Sequence, residues 1–262
     1  RQPEFTQIDF EMSFVDEEDI MSFSEELIAT LFKELLGIEL KRPFDRITYR
    51  EALERYGSDK PDRRFGLELI ELTDIFKDTE FKVFKDAIEK GGVIKAINFS
   101  HHSLSRKEID ELTQFVQSLG AKGLAWIRVE KEKLNSPIVK FLKEEEVKLL
   151  LERTKAKEGD TIFFSADKKD VVYKILGALR LKLAKTYGLI RDGFDLLWVV
   201  DFPLMEWDEE EGRFVALHHP FTSPREEDIP LLKEALETED LEEKKRLIEK
   251  VRARAYDLVI NG

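Results

Sequence analysis

The chain carries four histidines as two adjacent doublets, His101-His102 and His218-His219. Adjacent residues of an extended strand face opposite ways, so neither doublet sets both rings on one ligand without a bend. The first sits in NFSHHSLSRKEIDEL, where Ser103 or Ser105 can cap the next helix and Glu108 can complete a capping box with Ser105. A loop leading into a helix accounts for that pair. The second sits in VALHHPFTSP, ahead of Pro220, which restricts His219 to extended backbone. A strand end meeting a rigid turn is a common place for ligand groups, and the pattern leaves a ligand role and a purely structural role both open. Among the carboxylates, TQIDFEMSF (6–14) sets Gln7, Asp9, Glu11 and Ser13 on one side of a strand whose other side is Ile8, Phe10, Met12 and Phe14. Its polar side is the best local candidate for a binding surface; a solvent-facing sheet surface is the other reading. Asp257 stands alone in a late strand between Tyr256 and Leu258, with Asn261 four residues on. Glu144–Glu146 and Glu209–Glu211 read as solvated charge runs, and Trp126, Trp198 and Trp207 as core or interface residues.

The elements that must position these groups fall into three stretches. In 1–74 the alternating strand precedes a helix over about 17–36, with Asp16 as N-cap, Asp19 three residues on and Gly37 as its stop. A short TYREALERYG helix follows with a Thr48-x-x-Glu51 capping box, and then the polar loop GSDKPDRR (57–64). Over 75–190, strands at 93–99, 124–129 and 160–166 alternate with helices near 105–119, 137–154 and 169–187, which predicts a compact α/β domain inserted into another fold. Pro137, after Ser136, suits the first turn of the middle helix. In 191–262 the antiparallel style returns: 194–207 and 213–219 flank an acidic turn (208–212), a charged helical region covers 226–250, and a last strand lies in 252–262.

Composition narrows the function classes. With 42% hydrophobic and 37% charged residues, the 262-residue chain reads as one or two globular domains, and it contains no apolar run of membrane-spanning length. The absence of cysteine removes disulfides, thiolate metal sites and cysteine nucleophiles, and fits a cytoplasmic enzyme. Abundant Glu, Lys and Arg resemble the composition of heat-adapted proteins. A net charge of −12 argues against a protein whose main surface clamps nucleic acid, although RLKLAKTYGLIR (180–191) is locally basic. Neither a Gly-x-x-x-x-Gly-Lys loop nor a Gly-x-Gly-x-x-Gly, Gly-x-Ser-x-Gly or His-Glu-x-x-His motif is present. The first residues, RQPEF, do not form a secretory leader, and the first and last residues together suggest a piece of a longer chain.

Five segments, RQPEFTQID (1–9), GSDKPD (57–62), VVDFPLMEW (199–207), HHPFTSP (218–224) and RARAYDLVING (252–262), closely resemble the catalytic domain of bacterial-type aspartyl-tRNA synthetases, which are class II enzymes. LNSPIVKFL (134–142) and GDTIFFSADKK (159–169) resemble that family's insertion domain, which has a relative in a tRNA-dependent amidotransferase subunit. The resemblance covers essentially the whole chain. It implies an α+β fold: part of a class II antiparallel sheet with flanking helices in 1–74 and 191–262, interrupted by the inserted domain at 75–190.

It also implies a reaction and a site. ATP and L-aspartate would form aspartyl-adenylate, and the aspartyl group would pass to tRNA(Asp), or also to tRNA(Asn), in a homodimeric full-length parent. By the same match Phe5 would stack on adenine, Gln2 would hydrogen-bond the nucleotide, and Arg1 would lie near phosphate or tRNA. Asp9 and Gln7 would face the substrate's ammonium group, His218 would contact aspartate, and His219 would orient its loop. Asp257 would help hold Mg2+ on the ATP phosphates, with a partner Glu expected beyond Asn261-Gly262. The family's first motif, its third motif with an ATP-binding Arg, its aspartate-binding Lys and carboxylate-reading Arg, and its anticodon-binding domain are not matched in these residues. Adenylyl transfer relies on such cationic groups, so these residues alone are expected to make no adenylate. The rival reading is a noncatalytic tRNA-binding module built around the insertion domain.

Overall fold

The computed structural model describes residues 3–131 and 133–262. Its first helix, α1 (Glu17–Leu36), begins as its sequence predicts. The Asp16 side chain accepts from the backbone of Glu18 and Asp19, Asp19 reaches back to Asp16, and Gly37 stops the helix at φ +67°. Then come β1 (Asp45–Thr48) and α2 (Tyr49–Tyr56), the latter with the Thr48–Glu51 capping box formed. Next are β2 (Ile70–Glu71), α3 (Lys82–Glu89), β3 (Val93–Phe99), α4 (Arg106–Ser118), β4 (Ala125–Val129) and β5 (Leu134–Asn135). After them lie α5 (Glu144–Thr154), β6 (Thr161–Asp167), α6 (Lys169–Thr186), β7 (Leu196–Val200), β8 (Met205–Asp208) and β9 (Arg213–Ala216). The last elements are α7 (Ile229–Glu237), α8 (Leu241–Ile248) and β10 (Tyr256–Ile260). No helix among the described residues is long and apolar enough to cross a membrane.

Two main sheets organise the chain. One has the order β2-β3-β6-β4-β5, and each of its neighbouring pairs is antiparallel. Strand–helix alternation commonly signals a parallel sheet. Here β3 and β4, joined through α4, run the same way but are separated by β6, a split β-α-β arrangement. The sheet also draws in Ile70–Glu71, ahead of residue 75. One face packs Phe99 and Phe163 against α4 and α6, and the other packs Ile94 and Phe164 against α3 and α5.

The second sheet, β1-β7-β10, is mixed: β1 is parallel to β7, and β10 is antiparallel to it. Leu196 and Trp198 face α1, while Leu197 and Val199 face α2. Glu25 of α1 is buried, and its carboxylate accepts from the Trp198 indole (2.9 Å) and the Phe44 backbone (3.1 Å), which satisfies a group that burial would otherwise penalise. A separate hairpin, β8-β9, closes over the acidic turn.

Three expectations need correction. The alternating stretch 6–14 forms no strand: none of the described residues pairs with it, and both of its sides are exposed. Alternation only prepares a strand, because the backbone N–H and C=O groups still need a neighbouring ladder. The helix expected over 137–154 is confined to α5. Leu142 is extended between a short 3-10 turn (Val139–Phe141) and α5, whose first turn is Glu144–Glu146, a favourable charge at a helix N-terminus. Finally, 194–207 is two strands, not one. Asp201 adopts φ +57°, and Pro203 has no N–H to give a ladder, so the chain turns between β7 and β8.

Candidate functional site

Three chain segments meet at the end of the mixed sheet where β7 stops and β10 starts. Leu204 N–H donates to Val251 O (2.8 Å), Ala253 N–H to Phe202 O (2.7 Å), Arg225 N–H to Arg252 O (2.9 Å) and Arg254 N–H to Ser223 O (2.9 Å). The loop that carries the second histidine doublet is therefore fastened to the segment leading into β10. Two ion pairs brace it. Arg252 Nε lies 2.8 Å from Asp228, and Arg254 Nη2 lies 2.7 Å from Glu17 of α1. The Arg252 hydrogen bonds hold the Asp228 carboxyl below its ordinary pKa, and the Arg254 hydrogen bond does the same for Glu17.

The two rings of the doublet part company. His218 is exposed and sets its ring edge-on against the buried Phe202, with centroids 4.4 Å apart. His219 turns into its own loop: Nδ1 accepts from Phe221 N–H (3.1 Å), its carbonyl accepts from Thr222 N–H (2.9 Å), and its ring meets Phe221. These contacts close the turn around Pro220. Asp257 is half-buried in β10, opposite Val199. Alternation along the strand puts it on the face of Val259, where Phe202 also packs. The structure thus sets His218 and Asp257 on one side of the mixed sheet.

The remaining predicted residues are not brought to that place. Gln7 and Asp9 are exposed in the irregular segment before α1, and Phe5 is 75% exposed. Gln2 and Arg1 lie outside the described residues. His102 sits 3.4 Å from Glu108 beside Tyr187, in a loop whose Ser105 caps α4 and completes the box with Glu108. Trp126 and Trp198 are core residues, and Trp207 packs against Phe214 with Lys245 over its ring.

Two groups were not singled out from the sequence. Arg225 Nη2 lies 2.6 Å from Asp201 Oδ1, yet the angle is poor for a hydrogen bond. Asp201 Oδ1 and Arg225 Nε are buried without a hydrogen-bond partner among the described residues. The pair joins the end of β7 to the loop after His219, and Arg225 lines a cleft with Glu17, Val200 and Tyr256 on the α1 side of the mixed sheet. Their motifs, VVDFP and TSPR, were visible; the left-handed backbone of Asp201 and the pairing across the loop were not.

Chemically, an exposed imidazole and a half-buried carboxylate on one side of the mixed sheet can contact a small charged molecule. No group of three or more His, Asp or Glu side chains that could cage a metal is found among the described residues. Asp257 is one hard oxygen donor, which fits a share in Mg2+ binding, since that ion keeps several waters and takes one or two carboxylates plus phosphate oxygens.

The model of the family "tRNA synthetases class II (D, K and N)" matches residues 1–262. A protein of Aquifex aeolicus named aspartate–tRNA(Asp/Asn) ligase is 74% identical over 263 residues, covering 100% of this chain and 44% of that relative. A Hydrogenobaculum protein of the same name is 61% identical with the same coverage. An aspartate–tRNA ligase of Shouchella clausii is 56% identical, covering 100% of this chain and 43% of that relative. The chain spans less than half the length of the curated relatives it matches.

Proposed function

The chain belongs to the class II tRNA synthetase family (D, K and N), and from that premise we propose that it is part of an aspartate–tRNA ligase. The observation that carries the proposal is 74% identity, across the whole chain, to a protein of that name. The full protein would activate L-aspartate with ATP and transfer it to tRNA in the cytoplasm. The relatives named for tRNA(Asp/Asn) support a parent that charges tRNA(Asn) as well as tRNA(Asp). Exposed Leu31, Leu35 and Leu36 on α1 support a homodimeric parent, because such apolar patches mark interaction surfaces.

In this reading His218 contacts the substrate aspartate, and its packing on Phe202 limits the ring's freedom to leave that position. His219 positions the loop through the turn it closes on Phe221 and Thr222. Asp9 and Gln7 pair with the ammonium group, which needs an anionic partner once desolvated. Phe5 and Gln2 take the adenine, where stacking on an aromatic face contributes about 1–3 kcal/mol. Asp257 shares in holding Mg2+, which when bound offsets charge on the ATP phosphates. This reading requires the segment 3–14 to pack beside His218 in the active protein. Residues 75–190 form the insertion domain, and 1–74 with 191–262 form the catalytic part.

ATP–pyrophosphate exchange tests the proposal. The full-length protein exchanges with aspartate and not with lysine or asparagine, and His218→Ala raises KM for aspartate more than it lowers kcat. Exchange driven by lysine overturns the substrate assignment. The 262-residue chain by itself shows no exchange.

A further inference from the structure

A cavity of about 430 Å³ opens beside the end of α2, and neither His218 nor Asp257 lines it. Its walls include Tyr56, Arg63, Arg64 and Phe65 from α2 and the loop after it, His101 from the loop after β3, and Arg191 from the segment after α6. Two features without a role in the substrate reading, the first histidine doublet and the basic stretch 180–191, meet here.

Not every guanidinium group around this cleft has a carboxylate partner among the described residues. Arg63 is spent on Asp195 and Asp45, and Arg64 grips Asp62 through Nε and Nη2. Arg64 Nη1, however, has only a long 3.5 Å contact with Gly193 O. Arg191 uses Nε on Arg64 O (2.8 Å), and among the described residues no carboxylate pairs with it, which leaves its two outer nitrogens available. The wall carboxylate, Glu68, is already held by Arg55 (2.9 and 3.0 Å). Behind the wall lies Arg180, 1% exposed, with Nη2 on the carbonyls of Asp62 (2.8 Å) and Phe65 (3.1 Å). It has no ion pair among the described residues, and its Nε has no partner. Its guanidinium stands 4.1 Å from the Phe65 ring centre and 4.9 Å from that of Tyr56, the two aromatic walls of the cavity. Burial pushes its pKa down to about 10, which leaves it a cation at neutral pH in a poorly solvated place.

We propose that this cleft is an anion site that takes a phosphate group. Arg191 and Arg64 Nη1 supply the donors, His101 lies at the rim, and the Arg180 charge behind the aromatic wall supplies attraction that water screens weakly. Arg191 and Arg180, neither of which has an ion pair among the described residues, match a phosphate better than a single carboxylate, and guanidinium forks suit its oxygens. The net charge of −12 makes a concave surface of the opposite sign a specific feature of this place rather than a general property of the protein. The site is independent of the aspartate assignment, because none of His218, Asp9 or Asp257 lines it.

Titration calorimetry of the 262-residue chain with inorganic phosphate, with pyrophosphate and with a short single-stranded RNA tests this. At least one of the three binds, and Arg191→Glu weakens it by about tenfold or more, the scale of a charge-assisted hydrogen bond. Arg191→Lys keeps part of the affinity, and Lys250→Glu, at an exposed residue that does not line the cavity, leaves it unchanged. Arg191 is exposed, so its variants should fold, and their thermal melts check this; His101→Ala is the second rim variant. If RNA binds and Arg191→Ala lowers the slope of log K against log salt by about 0.7, the phosphate comes from a backbone. If only phosphate or pyrophosphate binds, with the same Arg191 dependence, the ligand is the free anion. The proposal fails if none of the three binds, or if binding is unaffected by Arg191→Glu.

Discussion

The five-stranded sheet has helices on both faces and closes two large apolar clusters, with Phe99, Phe163, Ile94 and Ile162 fully buried. The mixed three-stranded sheet, which bears Asp257 and abuts His218, closes two smaller clusters. Beside it the chain leaves Phe14, Ile8 and Leu35 largely in solvent. Exposed apolar side chains occur around both sheets, Val83 and Phe141 among them at the first, but the segment and helix beside the second leave theirs much further out in water. Candidate chemistry sits on the less closed of the two. His218 is exposed and Asp257 half-buried there, so both keep surface for a ligand.

Core truncation should separate the two sheets most strongly. Phe163→Ala in β6 is expected to cost about 3–5 kcal/mol in urea unfolding, the usual range for emptying a packed aromatic site. A smaller loss would mean that the five-stranded core is looser than its burial implies. Second in size is Gly177→Ala in α6. In most helices this change stabilises by about 1 kcal/mol. Here the new Cβ would lie 2.4 Å from Gly57 O, so the sign should reverse to a loss of about 1–3 kcal/mol, the overpacking range. Gly57 follows α2, so the contact joins the two parts of the molecule, and a stabilised variant in thermal melts would show that this seam is soft.

Ser105→Ala should cost about 1 kcal/mol as a lost cap. It also probes a titration. Hydrogen bonds from the Ser105 side chain and backbone, helped by Tyr187, hold the Glu108 carboxyl down to about 2. A carboxyl lowered on folding stabilises fully above its ordinary value, about 4.3, and loses that contribution as pH falls toward the folded value. Unfolding measured from pH 5 to pH 2 should therefore steepen in the parent and flatten in Glu108→Gln. The Glu17–Arg254 pair beside the candidate site has the same sign. At the small end, Phe14→Ala should change stability by less than about 0.5 kcal/mol, because the ring already stands in water. A large loss there would show that the segment 3–14 is packed in solution, and would erase the contrast between the sheets.

Much of this fold was legible in the chain. The Asp16, Thr48 and Ser105 caps lie where the sequence puts them, because a cap is a contact between residues three apart. The strands at 93–99 and in 160–167 and the helix from 169 were equally readable, since local period and burial agree there. The fate of 6–14 was not legible, for the opposite reason: its alternation predicted a strand, but a strand needs a partner, and pairing is a long-range property. At the candidate site the sequence supplied the motifs around His218, His219 and Asp257. It supplied neither the Arg225–Asp201 contact nor the burial of Arg180 without an ion pair, whose meaning depends on what lies beside each residue after folding.

By itself the sequence determined family, element types, helix starts and the identity of the groups available for chemistry, all of which depend on residue type and short spacing. Tertiary structure alone decided strand order, with β6 inserted between β3 and β4, and the opposite fates of the two rings in His218-His219. It also decided which charges were left without a partner. Such outcomes depend on distances between residues far apart in the chain, where solvation and pairing are settled only once both partners are in place.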